Sequence, residues 1–484
     1  MAFSPDETLT ICKQARIAIV ACCVLIGLLG AGSASAAPHP IATGIEQPDA
    51  SRDDLQNAYP RIRASGAKYV RIILYWDIAQ PGRTTYDWTE PDKQINEAIA
   101  AGLTPLVTVW RAPDWAERSS SGEAGTRDPD PVAFGDFARQ LALRYRQVHY
   151  WEAWNEPNLD HFLSPQIRDG KPYSPGLYRQ LLEHFWQGVH SVDSSAKVAG
   201  GGLARRYKIP PLSFIRQVFC LSDKTLKPVR SCPVHVDAWS HHPYTNGGPF
   251  KKQGTRDGVS MGDLPKMRKT LKAAAVSGNA LPAKNRMPFW ISEFSWDTDG
   301  PDPDAVPMNV HSRWVAEALY QAWRSGVSLF AWHQLRDRPF PATQYQSGLY
   351  FCGSKSTSDD VGSRCAQSGF YTKDVAKTAS LQAFKFPFVA YASNGRVKVW
   401  GRTPDSTRHQ VLIQRKVLHT WNTVKTVNAD SFGIFQLRWP SSDRNHSYRA
   451  RTDSGATSNG FSLKKPRSIS LPNTWGCGGT IRCR

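Results

Sequence analysis

Short β-rich runs alternate with longer helical stretches over residues 41–388, and this alternation constrains the fold more than any other feature. It predicts βα units with a parallel sheet, and eight such units close a (β/α)8 TIM barrel of the α/β class. A helix is predicted after each strand, for example at 52–65, 92–101, 131–147, 174–192 and 312–325. The eight predicted strands cover residues 41–46, 69–75, 104–110, 149–155, 196–201, 236–241, 289–293 and 328–332.

The pattern changes after residues 386–388, where short strands spaced by turn residues replace the βα units. Such spacing is typical of a small all-β sandwich. Strands are predicted at 397–401, 410–416, 420–427, 433–439 and 447–450. The predicted organisation is therefore a leader over 1–36, a barrel over 37–388, a sandwich over 389–472 and a cysteine-containing tail over 473–484.

The first 36 residues have the three parts of a secretory signal peptide. Lys13 and Arg16 precede an apolar run over 17–30, and the small residues 34–36 supply a cleavage site. A lipoprotein box ending at Cys22 is a weaker alternative, because only five apolar residues precede that cysteine. The run is too short for a comfortable membrane span. We therefore expect a secreted, extracellular protein with no transmembrane span, and we expect a monomer.

Six of the nine cysteines follow this leader, and they fall into three pairs that are close in sequence. Six cysteines allow 15 connectivities. The simplest connectivity joins Cys220 to Cys232, Cys352 to Cys365 and Cys477 to Cys483, and each pair closes a short polar loop. Metal binding is the rival interpretation, but the spacings typical of zinc sites are not found. Structural disulfides also agree with export.

Positive charge is concentrated at the end of the chain. The formal net charge is +19, and residues 385–484 contain 17 Lys and Arg against four Asp, an excess of 13. A basic module of this kind could hold a secreted protein on an anionic polymer or a cell-surface glycan, although solubility explains the charge equally well. We expect no nucleic-acid partner, because the exported chain contains no nucleic-acid-binding motif.

Two segments, 150–158 and 288–296, each run from a predicted strand into a glutamate. A parallel barrel gathers the carboxyl ends of its strands at one mouth, so Glu156 and Glu293 should face the same cavity. Pro157 should hold Glu156 out of the helical region, in an extended conformation. Strand alternation sends Asn155 and Glu156 to opposite faces, so both can reach one site only where the chain bulges or turns.

The segment Trp-Asn-Glu-Pro at 154–157, followed by Trp-Ile-Ser-Glu at 290–293, resembles glycoside hydrolase clan A, the retaining (β/α)8 glycosidases. The resemblance covers residues 40–390 and is most like family 39 or family 5. It implies that Glu156 is the general acid/base and Glu293 the nucleophile. Barrel dimensions leave about 6 Å between the two carboxyl groups, which does not separate retention from inversion. Only the resemblance favours retention.

The same resemblance assigns further substrate-binding residues. Asn155 would bind the sugar 2-hydroxyl, Arg71 would support the nucleophile, Tyr244 would donate a hydrogen bond to it, and Trp332 would form the floor of the first donor subsite. From position alone, Trp110 is either a sugar platform or a packing residue. One of His241 and His242 is expected to bind substrate while the other is structural. Glu46 and His333 are weaker candidates for the pocket, and Glu152 is expected to be a satisfied barrel residue.

These features together predict a secreted retaining hydrolase that cleaves β-glycosidic bonds in an oligo- or polysaccharide by double displacement, with no cofactor and no metal. A transglycosidase with the same residues is an open alternative. A non-catalytic carbohydrate-binding or cell-surface adhesion protein on a barrel scaffold is a second alternative, although the intact glutamate pair counts against it. The sequence does not identify the sugar or the linkage.

Overall fold

The computed structural model describes residues 39–47, 55–282, 284–298, 305–338, 345–352 and 374–464. The predicted leader over 1–36 and the tail over 473–484 lie outside these ranges. Within them, no helix is both long and apolar enough to cross a bilayer.

Eight parallel strands form a closed barrel, as the alternating pattern predicts. Neighbouring strands follow chain order, and β1 closes the ring by pairing with β8, Ala42 opposite Leu329. Strands β4 and β7 end earlier than predicted, which leaves both glutamates on the loops just beyond them. The strands are β1 (Ala42–Gln47), β2 (Tyr69–Tyr75), β3 (Thr104–Trp110), β4 (Tyr150–Ala153), β5 (Lys197–Ala204), β6 (Ala238–His242), β7 (Phe289–Ile291) and β8 (Val327–His333).

Amphipathic helices cover the outside of the barrel. Helix α4 shows why they form where they do: Pro131 occupies its first turn, and the Asp130 carboxylate accepts hydrogen bonds from the amides of Val132 and Ala133. Two short 3-10 turns cover Asp114–Ala116 and Met261–Asp263. The helices are α1 (Leu55–Ala64), α2 (Trp76–Ala79), α3 (Thr89–Ala100), α4 (Pro131–Arg144), α5 (Ser174–His190), α6 (Pro211–Val218), α7 (Leu264–Val276), α8 (Met308–Arg324) and α9 (Thr378–Lys385).

A small apolar cluster fills the barrel interior, apart from the larger core between strands and helices. It contains Leu106, Ala199, Ala238, Trp290, Leu329 and Ala331. Because side chains alternate along a strand, these residues show which positions point inward. On β8, Leu329 and Ala331 point inward, so His333 does so as well, whereas Trp332 points outward.

An antiparallel sandwich of two sheets follows the barrel, as predicted. The three-stranded sheet has the order β9-β10-β13 and the four-stranded sheet the order β12-β11-β14-β15. The sequence prediction included neither the first nor the last of these strands. They are β9 (Phe388–Ser393), β10 (Arg396–Arg402), β11 (Gln410–Val417), β12 (Thr420–Asn428), β13 (Ile434–Pro440), β14 (Ser447–Thr452) and β15 (Phe461–Ser462). Two-residue strand pairs join Ile167–Arg168 to Lys171–Pro172, Val234–His235 to Ala280–Leu281, and Tyr350–Phe351 to Val375–Ala376.

The predicted disulfide between Cys220 and Cys232 is present and closes the loop after α6. Cys352 is also disulfide-bonded. Its predicted partner Cys365 lies outside the described residues, as do Cys477 and Cys483, so those two pairings stay predictions.

The sandwich packs tightly on the barrel. The fully buried ring of Trp400 lies 5.4 Å from the rings of both Tyr320 and Trp323 on α8. Arg402 on β10 is buried as well, and its Nη1 donates to the carbonyl of Ile41, 2.9 Å away, just before β1. Burial lowers the pKa of Arg402 to about 10. The two parts therefore share a core, and we expect the sandwich to support the barrel.

Replacing Trp400 by Ala should lower the free energy of unfolding by about 3–5 kcal/mol, because it opens a cavity at this shared core. Urea unfolding followed by circular dichroism measures the change. Leu418→Ala, at a residue that is 88% exposed on the β11–β12 turn, is the control and should change stability by less than about 0.5 kcal/mol. A Trp400→Ala loss below about 1 kcal/mol would show that the interface adds little.

Candidate active site

A turn after β4 directs Asn155 and Glu156 into one site. Trp154 and Glu156 both adopt positive φ angles, 73° and 39°, and the Glu156 amide donates to the carbonyl of Gly202 on β5. This is the turn that the sequence required. The expectation of an extended Glu156 was wrong: Pro157 disfavours the right-handed helical region, but the contact with β5 selects the left-handed one.

Arg71, fully buried on β2, joins the residues at the carboxyl ends of several strands. Its Nη1 donates to Glu293 Oε2 at 3.0 Å, its Nη2 to Asn155 Oδ1 at 2.8 Å, and its Nε to Glu152 Oε2 at 3.0 Å. Burial by itself would lower the pKa of Arg71, but the negative charges of Glu152, Glu46 and Glu293 raise it above its ordinary value. The guanidinium is therefore a permanent positive charge beneath the site.

Glu293 is arranged to be ionised. The hydroxyl of Tyr244 donates to its Oε1 at 2.6 Å, while Arg71 donates to Oε2. Burial by itself would raise the pKa of Glu293, but the positive charges of His242, His333 and Arg71 and the tyrosine hydrogen bond lower it to about 2. A carboxylate held in this way is ionised at neutral pH, which is the state that a nucleophile requires.

Glu156 is arranged to be protonated. Its Oε1 lies 2.9 Å from His242 Nδ1, and its Oε2 has no hydrogen-bond partner in the described part of the chain. Burial raises the pKa of Glu156, and the negative charge of Glu293 adds to this effect, although His242 opposes it. The environment thus displaces the pKa values of the two carboxyl groups in opposite directions, as acid and nucleophile require.

His242 lies between the two carboxyl groups. Its Nδ1 is 2.9 Å from Glu156 Oε1 and 3.6 Å from Glu293 Oε2, and its Nε2 is 3.1 Å from Ser292 Oγ. Burial by itself would lower the pKa of His242, but the two glutamates raise it. Its neighbour His241 points away from the site and contacts the carbonyl of Val259, and burial lowers the pKa of His241 to about 3. Of the two histidines, His242 is the one in the site.

The histidine also limits the distance between the carboxyl groups. The 2.9 and 3.6 Å contacts add to about 6.5 Å, the upper limit for the separation of those two oxygens. Retaining glycosidases have carboxyl groups about 5–5.5 Å apart, whereas inverting ones need about 6.5–9.5 Å to admit a water. The limit on this pair of oxygens is compatible with the separation found in retaining enzymes.

Trp332 does not lie in the site, which corrects its assignment as the subsite floor. Its ring is fully buried between β8 and the helices, 6.4 Å from the ring of Phe384, and its Nε1 donates to the carbonyl of Ser347. Strand alternation is the reason, because Trp332 occupies an outward position. The neighbouring His333 points inward instead, and its Nδ1 lies 3.1 Å from Glu46 Oε2.

Glu46 and His333 therefore lie beside Arg71 and the other site residues. Glu46 Oε2 is also 3.1 Å from Arg71 Nη1. Burial by itself would lower the pKa of His333, but the charges of Glu46 and Glu293 raise it. Ligand atoms of Glu46, Glu293 and His333 lie within 4.8 Å of one another, yet the cation that the two carboxylates share here is Arg71. The inward direction of Leu329 and Ala331, which implies that of His333, is visible only in the structure, so no signal in the sequence identified His333.

The structure also shows where two other residues considered in the sequence, Glu152 and Trp110, lie. Glu152 points into the barrel, where it accepts hydrogen bonds from Thr108 Oγ1 at 2.6 Å and from Ser240 Oγ, in addition to those from Arg71. Glu152 is therefore a barrel residue whose carboxylate is fully hydrogen-bonded, as expected. Trp110 ends β3 half-buried, with its ring 4.8 Å from that of Phe162. Its position leaves open both a packing role and a sugar-platform role.

The sequence matches no protein-family model and no curated protein. The structure is similar to that of a family 39 glycoside hydrolase from the gut symbiont Bacteroides cellulosilyticus WH2, with a TM-score of 0.51 and 15% identity over 82% of this chain and 80% of that chain. A family 39 enzyme from Xanthomonas axonopodis pv. citri gives a TM-score of 0.47 and 14% identity over 85% of this chain and 97% of that chain. A family 30 endoxylanase from Clostridium papyrosolvens gives a TM-score of 0.44 and 10% identity over 85% of this chain and 96% of that chain.

At these identities the likeness shows the fold. The barrel expected from the resemblance to clan A is thereby confirmed, whereas the roles of the site residues rest on their geometry.

Proposed function

We propose that this chain is a retaining glycoside hydrolase that cleaves β-glycosidic bonds in an oligo- or polysaccharide. One observation carries the proposal: Glu156 and Glu293 are buried and both contact His242, and their surroundings move their pKa values in opposite directions. The clan A resemblance of the two segments supports the same function. A non-catalytic binding protein would have no need for this costly burial of two opposed carboxyl groups.

In the first step, a Glu293 oxygen attacks the anomeric carbon while Glu156 gives its proton to the departing glycosidic oxygen. The bond to the leaving group breaks as the glycosyl–Glu293 ester forms. Arg71 and Tyr244 hold the Glu293 carboxylate for attack. Asn155, which accepts a hydrogen bond from Arg71, would bind the sugar 2-hydroxyl.

In the second step, Glu156 takes a proton from water, and the resulting hydroxide displaces Glu293 from the anomeric carbon. Glu293 is uncharged while it is esterified, so the negative charge that raised the pKa of Glu156 is gone. The pKa of Glu156 is therefore lower, so its carboxylate, which gave up its proton in the first step, stays ionised and can act as the base. The cycle ends with Glu293 ionised and Glu156 protonated.

We further propose that the protein is exported, with a signal peptide over 1–36 and the barrel, sandwich and tail divided at residues 388 and 472. The disulfide between Cys220 and Cys232 supports an oxidising compartment.

The test is to screen aryl β-glycosides and polysaccharides for cleavage and to follow the first product by proton NMR. We expect the β anomer to appear first and to mutarotate later. Early formation of the α anomer would contradict double displacement. Transfer to added sugars in preference to water would establish the transglycosidase alternative. Binding of a polysaccharide without cleavage of any glycoside in the panel would favour the non-catalytic alternative.

A further inference from the structure

Among the described residues, the Lys and Arg side chains of the sandwich form no ion pair with a carboxylate. Residues 388–464 contain 12 Lys and Arg but only four acidic residues. In the barrel, by contrast, arginines commonly pair with carboxylates, as Arg144 does with Asp92 and Arg216 with Asp257. The four acidic residues of the sandwich contact histidines, a tyrosine or backbone amides instead: Asp405, Asp430, Asp443 and Asp453. Its positive charge is therefore not neutralised within the described residues.

Part of this charge lies on one face of the four-stranded sheet. On β14, Tyr448 and Ala450 are buried in the core, so alternation places Arg449 and Arg451 together on the outside. On β11 the outward residues include Leu412, opposite Arg451, Gln414, opposite Arg449, and Lys416, opposite Trp421 of β12. We call five of these side chains the outer face: Gln414, Lys416, Trp421, Arg449 and Arg451.

The outer face is an organised surface. Arg449 Nε donates to Gln414 Oε1 at 2.8 Å, and the Arg449 guanidinium lies 4.5 Å from the centre of the Trp421 ring. These two contacts hold the guanidinium across the sheet, beside the exposed Lys416 and Arg451. Partial burial, and then the positive charge of Arg451, lower the pKa of Arg449. The two arginines thus repel each other, and an anion bound across them would relieve that repulsion.

We propose that the outer face binds an acidic polysaccharide, whose carboxylate or sulfate groups contact Lys416, Arg449 and Arg451 while a sugar ring packs on Trp421. Charge complementarity selects a polyanion, and the half-buried tryptophan with a neighbouring amide suits a sugar ring and its hydroxyls. The choice of a polysaccharide over another polyanion rests on the proposed glycosidase function of the barrel. Binding itself requires no cleavage, so the two proposals are tested separately.

The test compares two variants of the full chain that lose the same charge. The first carries Lys416→Gln, Arg449→Gln and Arg451→Gln. The control carries Arg396→Gln, Arg408→Gln and Arg438→Gln, at exposed positions outside the outer face. Affinity for polygalacturonate is measured by titration calorimetry at low and high salt, after circular dichroism has shown that both variants are folded.

We expect the first variant to bind roughly tenfold more weakly and the control less than about threefold more weakly, because exposed charge contacts contribute about 0.2–1 kcal/mol each. Wild-type binding should weaken as salt rises. Trp421→Ala, which leaves every charge in place, should also weaken binding. Both charge variants should cleave a small aryl glycoside at the wild-type rate, which separates this result from any failure of the barrel proposal.

Three outcomes would overturn the inference. If the wild type does not bind polygalacturonate at low salt, the outer face is not a binding site for acidic polysaccharide. Equal weakening in the two charge variants means that diffuse charge, and not the outer face, attracts the polymer. If single-stranded DNA binds more tightly than polygalacturonate, and the first variant loses this DNA binding, the outer face is a nucleic-acid site instead.

Discussion

Replacing Glu293 by Gln should reduce kcat/KM for an activated aryl β-glycoside by about 10⁴-fold or more, with the fold intact. Gln keeps the shape of the side chain but removes the negative charge that must attack the anomeric carbon. The control is Glu123→Gln, at an exposed carboxylate that pairs only with His161 among the described residues, and its activity should equal that of the wild type. A loss below tenfold for Glu293→Gln would remove it as the nucleophile.

Azide identifies the role of Glu293 more directly than the rate does. In Glu293→Gly, the small anion can enter the space left by the side chain and attack the anomeric carbon itself. We expect partial rescue with formation of the inverted glycosyl azide. A glycosyl azide of retained configuration would instead place the nucleophile elsewhere.

Replacing Glu156 by Gln should abolish most hydrolysis of glycosides with poor leaving groups, because proton donation contributes about 10²–10⁴-fold. For a dinitrophenyl glycoside, the rate of the first step should fall less, since that leaving group needs no proton. Wild-type activity should fall as pH rises through the raised pKa of Glu156, and on the acid side only as pH approaches the pKa of Glu293, about 2. An alkaline limb that persists unchanged in Glu156→Gln would show that another group supplies the proton.

The second large effect is expected at Arg71. Arg71→Met should lower the free energy of unfolding at neutral pH by about 3–5 kcal/mol and abolish activity, because it leaves buried Glu152 and Glu293 without their shared cation. Arg71→Lys should restore less than the full stability, since an ammonium group cannot reproduce the guanidinium contacts. The control is Arg111→Met, which breaks the half-exposed pair with Asp77 and should cost about 0–1 kcal/mol.

The pH dependence of unfolding separates this electrostatic effect from lost packing. In the wild type, the depressed pKa of Glu293 contributes stability above the ordinary carboxyl range, and this contribution disappears as pH falls towards about 2. Without Arg71, the pKa of Glu293 should rise above its wild-type value, although His242 and His333 still lower it. The variant should then gain stability relative to the wild type as pH falls, because protonation removes the uncompensated charge. A deficit that is the same at every pH would indicate packing alone.

The sequence alone determined the barrel and the place of its two glutamates. Eight alternating βα units are the number that closes a parallel sheet into a barrel, and such a barrel carries all carboxyl strand ends on one side. Any residue just beyond a strand, such as Glu156 or Glu293, must therefore lie at that mouth. Local pairing of cysteines also predicted the bond between Cys220 and Cys232, because a short loop keeps the two thiols close.

Only the tertiary structure decided which neighbouring side chains face the cavity. Trp332 and His333 are adjacent, and a shift of one residue in strand register exchanges their directions, so composition could not choose between them. The positive φ of Glu156 and the contacts of Arg71 depend on strands that are far apart in sequence. The opposed pKa values arise from burial and charges that exist only after the barrel closes. Likewise, Trp400 joins the sandwich to α8, a contact between distant segments that no local pattern encodes.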